Sequence, residues 1–262
     1  SLFLLNNFTY ICDMRIVCIS DTHDLHHKMK HPLPKGDVLI HAGDVSNIGE
    51  QPDVTRFMNW FRNIQGFNTK IFIAGNHDFA FERINQPHHK GDFEWLSYLI
   101  NEENLSQSNV TYLEDNFITI ESPEFSRPIK IYGSPWQPEF YNWAFNLPRG
   151  GDDMFEKWNM IPDDTDVLIT HGPPNEIRDH VQDRGGVRNV GCELLRFRVE
   201  QLENLLVHIF GHIHGSYGAV QKKDTIFVNA STCTEQYKPI HKPLIVDLKE
   251  HEGKIIATYV QD

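Results

Sequence analysis

The chain has 262 residues, of which 40% are hydrophobic and 23% charged, and a formal net charge of −12. That length suffices for one large domain with a full core, and no low-complexity tract points to disorder. The negative charge, with no local cluster of Lys or Arg, argues against a surface for long nucleic acids. No apolar run reaches the roughly 18 residues that span a membrane.

The opening segment SLFLLNNFTYICD has too short an apolar part for a secretory signal and lacks a basic start. Cys12, Cys18, Cys192 and Cys233 form no C-x-x-C pair or disulfide framework, so a reducing, cytoplasmic location is expected. The first strand is expected directly after Met14, which sets residues 1–13 apart as an N-terminal extension and 14–262 as one domain. RIVCIS (15–20) and DVLIHAG (37–43) are continuous apolar runs, as expected of strands buried on both faces. In residues 52–65, Val54, Phe57, Met58 and Phe61 recur at helical spacing, with Pro52 in the first turn and Gly66 past the end. KIFIAG (70–75) follows as a strand, and 92–103 reads as a second helix. VTYLED, FITIES and KIYGSP, within 110–135, alternate and are turn-bounded, which suggests antiparallel strands. Residues 136–165 read as irregular. DVLIT (166–170), a helix over 191–204, LLVHIFG (205–211) and terminal hairpins complete the chain.

Polar residues follow five of these apolar runs: Asp21 and His23, Asp44, Asn76 and His77, His171, and His212 and His214. Ends of parallel strands converge on one rim of a sheet, where α/β proteins build sites. Asp21 and His23 are one residue apart, as are His212 and His214, so on extended backbone each pair faces one side. A mixed oxygen and nitrogen donor set suits Mn, Fe or Zn better than Mg or Ca. The reading is a dinuclear centre for two divalent metal ions. With two carboxylates and a bridging hydroxide it would keep a charge of about +1 to meet a phosphate.

The ordered set DTH…GD…GNHD…H…GHIH resembles the calcineurin-like metallophosphoesterase superfamily. SPWQPEFYNWAFNLPRG, THGPPNEIRD, VGCELL, VHIFGHIHGSYG and VNAST are similar to its metallophosphoesterase-domain-containing branch. The resemblance implies a four-layer αββα sandwich of two mixed β-sheets flanked by helices, with the metals at strand ends. It implies Asp21, His23 and His214 on one metal, and Asn76, His171 and His212 on the other, with Asp44 bridging. Some vertebrate members of the branch carry glycine at the position of His212; the histidine here implies a complete set. His77 is implied as a phosphate contact and leaving-group acid, a task suited to an imidazole near neutral pH.

Trp136, Phe140 and Trp143 are candidates to stack a nucleobase, or else they fill an apolar gap under the loop. Arg149 and Arg178 are candidates for phosphate or ribose contacts, with surface ion pairs as the alternative. His26, His27, His88 and His89 read as solvated. Cys192 and Arg198 have the C-x5-R spacing of cysteine phosphatases, but the bulky residues between them cannot cradle a phosphate, and Glu193 would oppose a thiolate. The expected activity is hydrolysis of small phosphodiesters, cyclic nucleotides foremost, by a metal-bridging hydroxide, with no obligate protein partner. The alternatives are a nucleotide-binding or scaffold protein with little turnover, and a phosphomonoesterase.

Overall fold

Strands apolar on both faces have to lie between two other layers, and this chain supplies both. The computed structural model describes residues 14–89, 91–183 and 185–261; the expected extension, 1–13, lies outside them. The first half runs β1 (Met14–Ile19), β2 (Val38–Ala42), α1 (Gln51–Asn63), β3 (Thr69–Ile73), α2 (Phe79–Arg83), α3 (Glu94–Ile100), α4 (Glu102–Ser106), β4 (Val110–Tyr112), β5 (Asn116–Ile120) and β6 (Ile129–Ser134). Short strands β7 (Gln137–Pro138) and β8 (Asn146–Leu147) lead to α5 (Asp152–Asn159), β9 (Val167–Thr170), β10 (His180–Asp183), β11 (Gly186–Asn189) and α6 (Glu193–Gln201). The last part is β12 (Val207–Phe210), β13 (Gly218–Lys222), β14 (Thr225–Asn229), β15 (Leu244–His251) and β16 (Lys254–Val260).

Two six-stranded sheets result, ordered β16-β15-β1-β2-β3-β4 and β13-β14-β12-β9-β6-β5. In the first, β1 to β4 are parallel and β15 and β16 antiparallel. In the second, β14, β12, β9 and β6 are parallel, flanked by antiparallel β13 and β5. Strand parity divides the core. Ile16, Cys18, Ile40 and Ile71 meet Ile131, Ile169, Val207 and Ile209 between the sheets. Val17, Ile19, Leu39 and Phe72 face the other way, onto the Val54, Phe57, Met58 and Phe61 stripe of α1. Tyr132, Leu168, Phe210 and Phe227 pack outward on Met154 and Trp158 of α5 and Leu195 and Val199 of α6. The layering is αββα.

Three expectations need correction. VTYLED is not antiparallel: β4 extends the first sheet parallel to β3, and β6 is antiparallel to β5 but parallel to β9. The helix expected over 92–103 breaks at Asn101, whose extended backbone ends α3 and whose side chain caps Glu103 N at 2.9 Å. The stretch read as irregular contains α5, which brings Trp158 into the core at 1% exposure. The indole N–H of Trp158 reaches the Cys192 sulfur, 3.3 Å away. That thiol is buried, burial raises its pKa, and Arg198 is committed to Ile161 O and Asp163, so no cysteine-phosphatase loop exists here.

Truncating Trp158 to Ala should cost about 3–5 kcal/mol of stability. Chemical denaturation showing a loss below about 1 kcal/mol would mean that α5 is not anchored this way.

Candidate metal centre

Each donor noted in the sequence stands just beyond the C-terminal end of a parallel strand. Asp21 and His23 follow β1, Asp44 follows β2, Asn76 and His77 follow β3, His171 follows β9, and His212 and His214 follow β12. Three strands of one sheet and two of the other thus share one rim. Asp21, His23, Asp44, Asn76 and His171 are 0–2% exposed, with His77, His212 and His214 at the edge of the cleft.

The side-chain atoms close into one continuous cluster. Asp21 Oδ1 is 3.2 Å from His214 Nε2, which is 3.2 Å from His23 Nε2. On the other side Asn76 Oδ1 lies 2.8 Å from both His171 Nε2 and His212 Nδ1. Asp44 Oδ2 stands between the halves, 3.7 Å from His23 Nε2 and 3.4 Å from His171 Nε2. Two donors bound at about 2.1 Å to one ion stand roughly 3.0 to 3.4 Å apart, so these spacings fit metal sharing. The donor trios Asp21, His23 and His214, and Asp21, Asp44 and His171, each lie within 4.8 Å.

The far sides of the rings are fixed as metal-binding histidines require. A backbone carbonyl only accepts, so Nδ1 of His171 donates to Ala42 O (3.0 Å) and Nδ1 of His214 to Thr234 O (3.0 Å). Nε2 is therefore the nitrogen that both turn into the cluster, and it binds a metal once the ring gives up its second proton. The electrostatics also favour cations. Burial works against the charges of Asp44 and Asp21, yet the neighbouring histidines hold both carboxyls well below the usual range. Burial also opposes a charge on His171, but Asp44 and Asp21 raise it to about 9. Burial pushes His23 down to about 4 and His212 to about 3. No lysine or arginine bonds either carboxylate among the described residues. The residues present fit two divalent ions.

The backbone is bent to make this possible. Asp21, His23, Asp44 and His212 all have left-handed φ, of 51°, 42°, 57° and 64°, at a cost of order 1 kcal/mol each. The motif glycines allow the close approach: a Cβ on Gly75 would stand 2.3 Å from Asp44 Oδ1, and one on Gly211 2.0 Å from Asp21 Oδ2. Sequence reading assigned no role to Asp78, although it closes the AGNHD motif. Its buried carboxylate accepts from Gly75 N (2.8 Å), Val45 N (3.1 Å), Ser46 N (3.0 Å) and Ser46 Oγ (2.6 Å), tying the Asp44 loop to the Asn76 loop. Ser231, in the VNAST phrase, likewise donates to Asp21 Oδ2 at 2.9 Å.

The proposed substrate contacts divide. His77 is at the centre's edge, its Nδ1 donating to Asn47 O (2.7 Å) and its Nε2 4.0 Å from Asp44 Oδ2. Trp143 stacks on that imidazole at 4.1 Å and backs it. Trp136 lies outside the cleft: its indole donates to Asp115 (2.9 Å), Lys157 covers its ring, and it packs on Phe145. Arg178 also turns away, donating to Ala219 O (2.6 Å). Arg149 lines the cleft but is engaged with Val190 O, Gly191 O and Glu193. His26, read as solvated, is 6% exposed and stacked on Trp60. The cleft, about 500 Å³, is instead lined by Phe140, Tyr237 and the β10–β11 side, with Val181 and Arg188. Tyr237, in the irregular stretch between β14 and β15, and that exposed hairpin carried no sequence signal, because neither has an apolar pattern.

Comparison with known proteins agrees with this geometry. The calcineurin-like phosphoesterase family model matches residues 14–216. Metallophosphoesterase domain-containing protein 1 of Homo sapiens is 41% identical over 242 residues, 89% of this chain and 71% of that protein, and its Mus musculus counterpart matches equally. A UPF0046 protein of Caenorhabditis elegans is 35% identical over 92% of this chain and 83% of its own. With the αββα layers and the strand-end donors already in view, this extent of similarity shows that the chain belongs to the calcineurin-like phosphoesterase family.

Proposed function

We propose that this metallophosphoesterase hydrolyses small phosphodiesters, cyclic nucleotides being the leading class, at the strand-end centre. The observation that carries the reading is the continuous cluster in which Asp44 Oδ2 stands between two donor sets. Asp21, His23 and His214 would hold one ion, Asn76, His171 and His212 the other, and Asp44 both. Mn, Fe or Zn suits these donors. When bound, such a pair neutralises phosphate charge and lowers the pKa of water toward about 7.

The chain's own residues do the rest. The Asn47 carbonyl and the Trp143 face fix the His77 ring, so Nε2 is presented on the Asp44 side and gives its proton to the departing alkoxide. Phe140, edge-on to His212 at 5.9 Å, and Tyr237, 5.4 Å from His214, offer apolar surface beside the centre for a base or aryl group. The test is hydrolysis of bis-p-nitrophenyl phosphate and of cyclic nucleotides by Mn-reconstituted protein, with and without chelator. Chelator-sensitive turnover of diesters supports the reading, and turnover of monoesters alone overturns it.

Replacing Asp44 with Asn should lower metal content and turnover together; normal stoichiometry in that variant would sink the shared-ligand assignment. His77→Ala should keep metal but slow hydrolysis by about 10²- to 10⁴-fold for poor leaving groups, and far less for p-nitrophenolate. Equal losses would remove His77 as the acid. At pH 7 the metal-free protein holds a proton on His171, whose pKa is raised to about 9, so loading must release protons and strengthen as pH rises. Calorimetry in buffers of different ionisation enthalpy measures this, and a buffer-independent enthalpy would contradict it.

A further inference from the structure

Two fully buried imidazoles lie outside the metal cluster and take no part in the chemistry above. His41 on β2 and His208 on β12 are both 0% exposed. They occupy the helix-facing sides of the two sheets, His41 against Phe57 of α1 and His208 against Phe210 and Phe227. Each places Nε2 on a threonine hydroxyl: Thr22 at 2.9 Å from His41, and Thr170 at 2.8 Å from His208. Each leaves Nδ1 buried without a partner.

The two pairs are topologically equivalent. In the first sheet the threonine follows β1 and the histidine sits on the adjacent parallel strand β2; in the second they sit on the adjacent parallel strands β9 and β12. Each threonine also adjoins proposed ligands. Thr22 stands between Asp21 and His23, and Thr170 immediately precedes His171.

The hydrogen bonds have a direction in the second pair. Thr170 gives its one hydroxyl proton to Gly172 O (2.7 Å), so its oxygen can only accept from His208, whose proton is therefore on Nε2. The chain from His208 through Thr170 to Gly172 O fastens both residues flanking His171. In the first pair the threonine lies between two left-handed residues, Asp21 (φ 51°) and His23 (φ 42°), a turn that persists only if its surroundings hold it. An apolar side chain would fill either pocket without stranding a buried ring nitrogen, so packing alone does not account for an imidazole at either position.

We propose that His41 and His208 are positioning residues, one for each half of the centre: His41 through Thr22 for Asp21 and His23, and His208 through Thr170 for His171. The inference rests on the two-ion reading above. Its test is stepwise Mn(II) binding by calorimetry on the full chain, with thermal unfolding recorded in parallel. His208→Leu should weaken one of the two ions by about 10- to 100-fold and leave the other nearly unchanged, matching the pattern of His212→Ala. His41→Leu should weaken the other ion, matching His23→Ala. His208→Gln, which keeps a side-chain N–H near the Nε2 position, should restore most of the affinity. Should a leucine variant fail to fold, Thr170→Val and Thr22→Val remove only the hydroxyl and should give the same selective losses. Equal loss of both ions, or loss of neither, overturns the proposal while leaving two-ion binding by the unaltered chain intact. Fewer than two ions on the unaltered chain would overturn both.

Discussion

Two buried carboxylates within a few ångströms of each other, Asp21 and Asp44, impose the constraint around which this molecule is arranged. Neither has a lysine or arginine partner among the described residues, and in a low-dielectric interior uncompensated charges of like sign are costly. Without a cation, two of the surrounding histidines hold their protons against burial: Asp44 and Asp21 raise His171 to about 9, and Asp21 raises His214. A pair of divalent ions satisfies the same demand with a fixed geometry, and at the rim where a substrate can reach them. With such ions bound, an acidic protein would gain a local attraction for phosphate that its net charge would otherwise deny.

Holding that arrangement explains features that have no value for packing. Left-handed backbone at four of the candidate ligands (Asp21, His23, Asp44 and His212), glycines pressed against carboxylates at Gly75 and Gly211, and an acceptor-only Asp78 with four donors all destabilise or restrict the chain locally. The two sheets supply the rigidity that sustains them. Their inner faces interlock between the layers, and α1, α5 and α6 brace the outer faces, so the strand ends cannot relax independently.

The parts legible in the sequence are those where one physical signal dominates. Strands buried on both faces are continuous apolar runs, and a polar residue at the end of such a run stands out. That is why the eight strand-end residues could be named together, and why the α1 stripe was visible. Where a residue's role depends on its neighbours in space, the sequence was silent or misleading. Trp136 looked available for stacking, but Asp115 and Lys157 engage it; Arg178 looked like a phosphate ligand, but backbone carbonyls of the β13 region take its guanidinium. Helix α5 was hidden because only Met154 and Trp158 of its eight residues are buried, too few for a clear stripe amid aromatic loops. The direction of β4 was illegible in principle, since three residues fit a parallel or an antiparallel edge equally well.

Under the proposed function, Asp44 joins the two donor sets into one dinuclear centre rather than two separate sites. Electron paramagnetic resonance of the fully Mn(II)-loaded protein tests it most directly. A shared Asp44 carboxylate transmits exchange coupling, so broadened signals of a coupled pair are expected. The hyperfine pattern of isolated, uncoupled Mn(II) at full loading would contradict it.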